Sequence, residues 1–384
     1  MLQLQTIYPH LERFSEKVAT EQKNLTRLKD VLDEVLDENS EVVKAWRRFP
    51  QALESTIAPR LIESPSKRVS RPNREACFTI CSADGSQIYP DRLLNFCLLN
   101  FSQICFHIGT QEPPLLTTYS KLYDADAFFE AYFKHTKPKE TDDRGSETSK
   151  ERIAVDQVNA LRQTKELSAL LHVATTKRVQ GRPILAVADG TLICWTLKNA
   201  DVLRKEFIEK LGQFRQAEIP ILAYKSFPET RSVAKALEHL ATERLEQVGI
   251  HPEMLTDLEI FQTVLTKGAR SAVFQSRSDI IEKHYPNPDK VYFFYLHTGK
   301  EIARIEFPAW CYEQGCVDFM HAIILDDLEK GKGYPMTLTE AHEHAVVKKS
   351  EEAQFFELLE KLCTKKGVSI SDSAKVVSKR TAII

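Results

Sequence analysis

The 384 residues carry 52 lysines and arginines against 54 aspartates and glutamates, a formal charge of −2, and 42% of them are hydrophobic. A global polycation is excluded, so any nucleic-acid contact must come from a local basic surface, while the apolar content is ample for a core. Thirteen glycines and seventeen prolines exclude collagen-like and low-complexity classes.

The longest unbroken apolar run, Val291–Leu296, is six residues, whereas a membrane span needs roughly twenty. No membrane segment is expected, and residues 1–9 lack the basic and apolar regions of a secretory leader. Eight cysteines include no Cys-x-x-Cys pair, which predicts reduced thiols, no structural zinc and a cytoplasmic address.

In chain order, residues 1–48 read as helical, with Leu25, Leu28, Leu32 and Val35/Leu36 at the 3.6-residue period. Pro50 and Pro59 break the pattern, and a basic stretch, 64–74, follows with Lys67, Arg68, Arg71 and Arg74. Residues 76–83 read as a strand ending at the turn signal Asp84-Gly85-Ser86. An irregular region is expected to about 123, then an aromatic helix at 124–134. The wholly polar 136–150 reads as a loop or insertion.

A helix is predicted over 151–175, a buried strand over 183–188 running into Asp189-Gly190-Thr191, and a helix over 200–218. Residues 219–224 give the next buried strand and 231–247 the next helix. A hairpin of 291–296 and 301–307 follows, then a helix over 318–330. A Gly-Tyr-Pro loop leads into a helix over 337–349 with a Thr337/Glu340 capping box. A last helix spans about 351–365, before a tail at 368–384. Strands alternating with helices argue for an α/β class.

Two apolar runs end in Asp-Gly, at Asp84 and at Asp189, 105 residues apart. Carboxylates converging from separate regions at one sheet edge repel each other unless a cation neutralises them. Hard cations such as Mg²⁺ or Mn²⁺ prefer oxygen ligands and suit attack of water on a phosphodiester.

Five segments occur in order: Asp84-Gly85-Ser86, Leu161-Arg-Gln-Thr-Lys-Glu-Leu167, Ala188-Asp-Gly-Thr-Leu-Ile193, Ile219-Pro-Ile-Leu-Ala-Tyr-Lys-Ser226 and Gly333-Tyr-Pro-Met-Thr-Leu-Thr-Glu-Ala-His-Glu343. Together they resemble the NurA nuclease family over about 76–348. The resemblance implies an RNase H-like mixed sheet flanked by helices in 64–367, after an N-terminal helical region at 1–63. It implies a Mn²⁺-dependent deoxyribonuclease of the 5′–3′ exonuclease and single-strand endonuclease type, with Mg²⁺ as the other candidate ion. A homodimer working with a HerA-like hexameric ATPase in DNA end processing is implied as well.

Carried over residue by residue, Asp84, Glu166 and Asp189 become metal-binding carboxylates, and His342 a late ligand or proton-transfer group. Tyr224 becomes a contact to the scissile phosphate or to a metal-bound water, and Lys225 a stabiliser of phosphate charge. Lys67, Arg68, Arg71 and Arg74 become candidates for the DNA backbone. Glu151 and Asp156 are rival acids to Glu166, and Asp326 and Asp327 are second choices. His342 and His344 lie two apart and would not share a helix face, so a His-Glu-x-x-His zinc site is not expected. The 331–333 glycines lack a P-loop's Lys-Ser/Thr, so no nucleotide cofactor is expected. Two other readings stay open: a catalytically silent scaffold of the same fold that binds a motor ATPase or a DNA end, and an RNA-directed relative.

Overall fold

A computed structural model describes residues 4–48, 58–90, 95–132, 152–197 and 200–368, with backbone alone at 4–6 and 17–26. Eleven strands, in chain order, are β1 (Arg60–Leu61), β2 (Arg68–Val69), β3 (Phe78–Ile88), β4 (Phe96–Ile108), β5 (Leu115–Asp124), β6 (Ile184–Asp189), β7 (Ile221–Lys225), β8 (Arg270–Ser271), β9 (Phe274–Gln275), β10 (Val291–His297) and β11 (Ile302–Pro308). They form one mixed sheet in the order β1-β9-β10-β11-β7-β6-β3-β4-β5, with β8 bridging β10 and β2. The meander β3-β4-β5 is antiparallel, β6 lies parallel to β3 and β7 parallel to β6. This is the α/β, RNase H-like arrangement expected, extended beyond β7 by the antiparallel β11 and β10.

The local physics explains the order. In β6 and β7, Ile184–Val187 and Ile221–Tyr224 are buried without interruption, as central parallel strands covered on both faces must be. The Asp201–Gln216 helix crosses between them, burying Leu203, Phe207, Leu211 and Phe214. At the far edge, β5 exposes both polar residues, Thr117, Thr118, Ser120 and Lys121, and apolar ones, Leu116, Tyr119 and Leu122.

One core packs the β3–β7 sheet against the Val155–Thr176, Asp201–Gln216 and Val317–Lys330 helices. A second joins Leu28, Leu32 and Trp46 of the N-terminal helices, and Leu36 of the turn between them, to Leu237, Phe261, Phe274 and Tyr295. Each such side chain contributes about 1.5–3 kcal/mol on burial.

Several expectations are corrected. Residues 84–123 are not irregular: β3 continues through Asp84-Gly85-Ser86 to Ile88, and β4 and β5 follow. The 231–247 helix is two, Ser232–Leu240 and Thr242–Glu246. Thr337 caps nothing: it lies inside the Met336–Ala345 helix, where its hydroxyl donates to Asp327 at 2.6 Å. The polar insertion 136–150 and the tail, apart from Val368, lie outside the described residues. No described helix is long and apolar enough to cross a membrane.

Candidate active site

Register brings the two Asp-Gly aspartates together. Ser82 pairs with Val187 across the parallel β3–β6 ladder, and two residues further along both strands stand Asp84 and Asp189. Asp189 pairs with Tyr224 across β6–β7, and Asp84 with Ser102 across β3–β4. Residues in one such row project to the same face, with strands about 4.8 Å apart. That face is covered by the Met336–Ala345 helix. Ser102 donates to its Ala341 carbonyl, and Asn100 donates to Ala345 at 2.7 Å. From this helix His342 meets Asp84, Nδ1 to Oδ2, at 2.8 Å.

Glu166 reaches the same corner from the opposite face. The Val155–Thr176 helix carries it, and with Ala83, Ala188 and Asp189 it lines a small cavity. Gly85 makes the approach possible. A Cβ there would stand 3.0 Å from Glu166 Oε1 and 2.9 Å from the Phe101 ring. The glycine after Asp84 therefore serves close approach, whereas Gly190, at φ +82°, serves a turn. Arg162 donates to both Glu166 and the Gly85 carbonyl.

The electrostatics follow from crowding. Burial pushes the Glu166 carboxyl up to about 8. Arg162 pulls it down, and the Asp84 and Asp189 carboxylates push it up again. Asp189 is also raised, first by removal from water, with repulsion from Asp84 adding to it and the Tyr334 hydroxyl opposing it. Tyr334 donates to Asp189 Oδ1 at 3.0 Å, and its ring stands edge-on to Tyr224 at 5.4 Å. Tyr224 in turn donates to Glu301 at 2.5 Å.

Three crowded carboxylates, two of them, Glu166 and Asp189, with raised proton affinity, are a donor set that suits a hard divalent cation. Among the described residues, no three His, Cys, Asp or Glu side chains stand in a ready-made metal cage. Glu166 is turned onto Arg162 and Asp84 onto His342, so ligation requires those side chains to swing inward.

The NurA domain family model matches residues 78–347, from the first residue of β3 to just past the His342 helix. The chain belongs to the NurA family. The crystal structure of the NurA nuclease from Sulfolobus solfataricus superposes with a TM-score of 0.51 at 13% identity, covering 95% of this chain and 98% of that one. At that identity the likeness speaks for the NurA fold alone. The catalytic domain of human endonuclease V gives a TM-score of 0.31 at 11% identity, covering 79% of this chain and 94% of that one. Endonuclease V of Ciona intestinalis, in complex with a DNA containing inosine, gives 0.29 at 9%, covering 79% and 95%. Those two overlaps are too low to carry an argument. No curated protein matches the chain at a significant level.

Within the NurA fold, Asp84, Glu166, Asp189 and His342 are brought together, and the other candidates are not. Tyr224 is fully buried, its hydroxyl committed to Glu301, so it supports Tyr334 rather than facing a substrate. Lys225, next along β7, alternates to the other sheet face and lines a separate cavity. Lys67 pairs with Glu63 at 2.6 Å, Arg71 with Glu329 and Arg74 with Asp326 at 2.9 Å. Arg68 donates to the Pro65 carbonyl at 2.7 Å. Arg74 lies over the Phe78 ring, at the start of β3. Six residues along a strand, about 20 Å, separate that end from Asp84.

Among the rival acids, Asp156 is exposed ten residues before Glu166, about 15 Å along the helix. Asp326 is held by Arg74 and Lys330. Burial pushes Asp327 up to about 6, and Thr337 occupies it. Glu151 lies outside the described residues. The residue that sequence reasoning missed is Tyr334. Its signal was a phenol in the Gly333-Tyr-Pro loop, beside the helix that carries His342.

Proposed function

We propose that this chain is a metal-dependent DNA nuclease in which Asp84, Glu166 and Asp189 ligate Mn²⁺ or Mg²⁺. The observation that carries the reading is the convergence of these three carboxylates, from two strands and a helix, with Glu166 pushed up to about 8 by burial and by the other two. Membership of the NurA family supports a nuclease, and the metal dependence is our inference from the donor set. A bound divalent cation would neutralise the corner and make a ligated water a stronger nucleophile.

The chain's own residues divide the remaining work. Tyr334 fixes the Asp189 carboxylate by its hydroxyl. Gly85 keeps the passage for Glu166 clear, and Arg162 offsets its charge between substrates. His342 is exposed and spends Nδ1 on Asp84, leaving Nε2 as the atom at which a proton is taken up or released.

The family resemblance extends the proposal to 64–367 as the nuclease domain, to a homodimer and to a HerA-like hexameric ATPase as partner. Tyr8, Leu11 and Phe14, spaced on one side of the Leu4–Val35 helix, are exposed and suit such an interface. A silent scaffold is the second reading, favoured by the Glu166–Arg162 pair that holds one carboxylate away from the others.

The test is cleavage of linear and single-stranded DNA with Mn²⁺, with Mg²⁺ and with chelator. Metal-dependent cleavage that Asp84→Asn abolishes is expected. Equal cleavage by Asp84→Asn, or by the wild type in chelator, would remove the reading. No cleavage beside intact DNA or motor binding would favour the scaffold. RNA offered alongside decides the sugar, since the 2′-hydroxyl is the handle for that choice.

A further inference from the structure

A second cavity, of about 190 Å³, lies on the other side of the loop that follows Asp189. Thr191 and Leu192 line the small cavity with Glu166 and Asp189, while Ile193 and Trp195 line the second one. Glu306 pins the shared wall: its Oε2 accepts from Thr191 Oγ1 at 2.6 Å and from Leu192 N at 3.0 Å. The second cavity is cationic. Lys225, Arg231, Lys235, Arg277 and Arg304 line it against the single acid Glu306. Arg304 is committed to Glu306 at 2.8 Å and Arg231 to Glu238 at 2.8 Å. Among the described residues no acidic side chain pairs with Lys225 or Lys235, which contrasts with the 64–74 basic stretch.

One exposed aromatic side chain shares the cavity lining with these lysines, and a second follows Lys225 along the chain. Trp195 forms part of the cavity lining and is 44% exposed. Phe227, two residues after Lys225, is 63% exposed and sits at φ +40°, a conformation that bulky residues rarely adopt. Its backbone N–H donates to Glu301 at 3.3 Å, the same carboxylate that holds Tyr224. Strained backbone and an exposed ring are retained where function uses them. Lysines without acidic partners next to exposed rings are the two components by which proteins hold unpaired nucleic-acid strands.

We propose that this edge is a holding site for single-stranded nucleic acid, with backbone phosphates on Lys225 and Lys235 and bases stacked on Trp195 and Phe227. The strand then passes over the Thr191–Leu192 wall to the carboxylate corner. A duplex keeps its bases stacked on one another and offers the rings nothing. The inference rests on the nuclease reading for the nature of its ligand, and its test is independent of cleavage.

The experiment uses the full chain in chelator, with a short oligo(dT) and a duplex of equal length as probes, read by fluorescence anisotropy and tryptophan emission. Trp46 and Trp310 are buried, so quenching by the oligonucleotide reports on Trp195. Expected are quenching by the single strand alone and binding by Trp195→Ala weakened roughly five- to a hundred-fold, with Trp195→Phe recovering part of it. Lys225→Ala with Lys235→Ala should flatten the slope of log K against log salt by about 0.7 for each phosphate that a lysine no longer neutralises.

Wild-type affinity and quenching pattern in these variants would overturn the inference, and so would equal quenching by the duplex. If the wild type still cleaves DNA with Mn²⁺, the nuclease reading survives that loss. Conversely, quenching and weakened variants in a protein that cleaves nothing would keep this site and remove the nuclease.

Discussion

Two acidic clusters packed against the same sheet behave in opposite ways. In the second core, Asp257 accepts from Ser232 N at 2.7 Å, Ala234 N at 2.8 Å and the Tyr295 hydroxyl at 2.5 Å. Beside it, Glu306 meets Arg304, whose guanidinium also donates to Ser276 at 2.6 Å and lies over the Phe293 ring at 3.5 Å. Every charge there has a partner from the chain, and the network holds strands and loops in place. At the carboxylate corner Asp84 and Asp189 lie close enough to Glu166 to raise its proton affinity, with Arg162 and His342 as the nearby basic side chains. Buried charge that the chain compensates serves the fold, and charge left in surplus at a sheet edge calls for a cation from solution.

The largest expected effects break this comparison from its two ends. Asp84→Asn or Asp189→Asn should cut cleavage at least about a hundred-fold, because a cation supplies several kcal/mol of transition-state stabilisation. Yet each variant should melt at or above the wild-type temperature in chelator, since it relieves repulsion. A clear fall in melting temperature would mean that the corner serves the fold after all. Glu306→Leu should do the reverse, losing about 3–5 kcal/mol in urea unfolding by stranding the buried Arg304 guanidinium. It also removes the acceptor that pins Thr191 and Leu192, so residual activity should fall with it. A wild-type unfolding midpoint in Glu306→Leu would show that the network is dispensable.

The same contrast marks where the sequence was readable. The central strands were legible because burial on both faces leaves unbroken apolar runs in 184–187, 221–224 and 291–296. Strand β4 was not, because Asn100, Ser102 and Gln103 interrupt the pattern, and neither was β5, which is exposed on both faces and so shows no alternation. Those polar side chains of β4 are satisfied by helix carbonyls, Gln103 by Ala169 at 2.8 Å and Ser102 by Ala341, partners 66 and 239 residues away. Asp84 and Asp189 were legible as candidates through their glycines, although the two glycines do different things. The pairing of Arg71 with Glu329 and Arg74 with Asp326 is equally long-range, so the basic stretch looked available for DNA when the fold had already used it. Tyr334 had no periodic or charge signal at all and emerged only when its loop was placed against Asp189.

An intermediate effect sharpens the role of the first glycine. Gly85→Ala would place its new Cβ 2.9 Å from the Phe101 ring and 3.0 Å from Glu166 Oε1. Overpacking of that kind costs about 1–3 kcal/mol, and here the displaced atom belongs to a proposed ligand. Cleavage should therefore fall by more than the loss of stability accounts for, while Gly190→Ala, with open space around its Cβ but a left-handed φ, should act through turn strain. Parallel losses of activity and stability in Gly85→Ala would leave the glycine as mere packing.

The smallest effect at neutral pH concerns His321, and it separates the clusters by the sign of their pH dependence. His321 is buried on the Val317–Lys330 helix, its Nε2 donating to the Gly268 carbonyl at 2.9 Å while Nδ1 has no partner. Burial pushes its pKa down to about 4 against the opposing Gly268 carbonyl, and Arg270 adds to the fall. In the unfolded chain the ring titrates near 6.5, so between about 6.5 and 4 the unfolded state holds the extra proton. Stability from His321 is thus present above that window and lost as pH falls through it.

The raised carboxyls of the corner act the other way. In metal-free protein they hold protons that the unfolded chain has released, so their contribution declines as pH rises toward the value of about 8 at Glu166. His321→Gln keeps a donor for Gly268 and removes the acid-side loss. Urea midpoints followed across this range in chelator should then fall more steeply with pH than in the wild type, and Glu166→Gln in the same background should lessen that slope, leaving the share of the buried Asp257 and Asp327 carboxyls, which are raised as well. A His321→Gln protein whose midpoints still drop on acidification would mean that another buried base carries the loss.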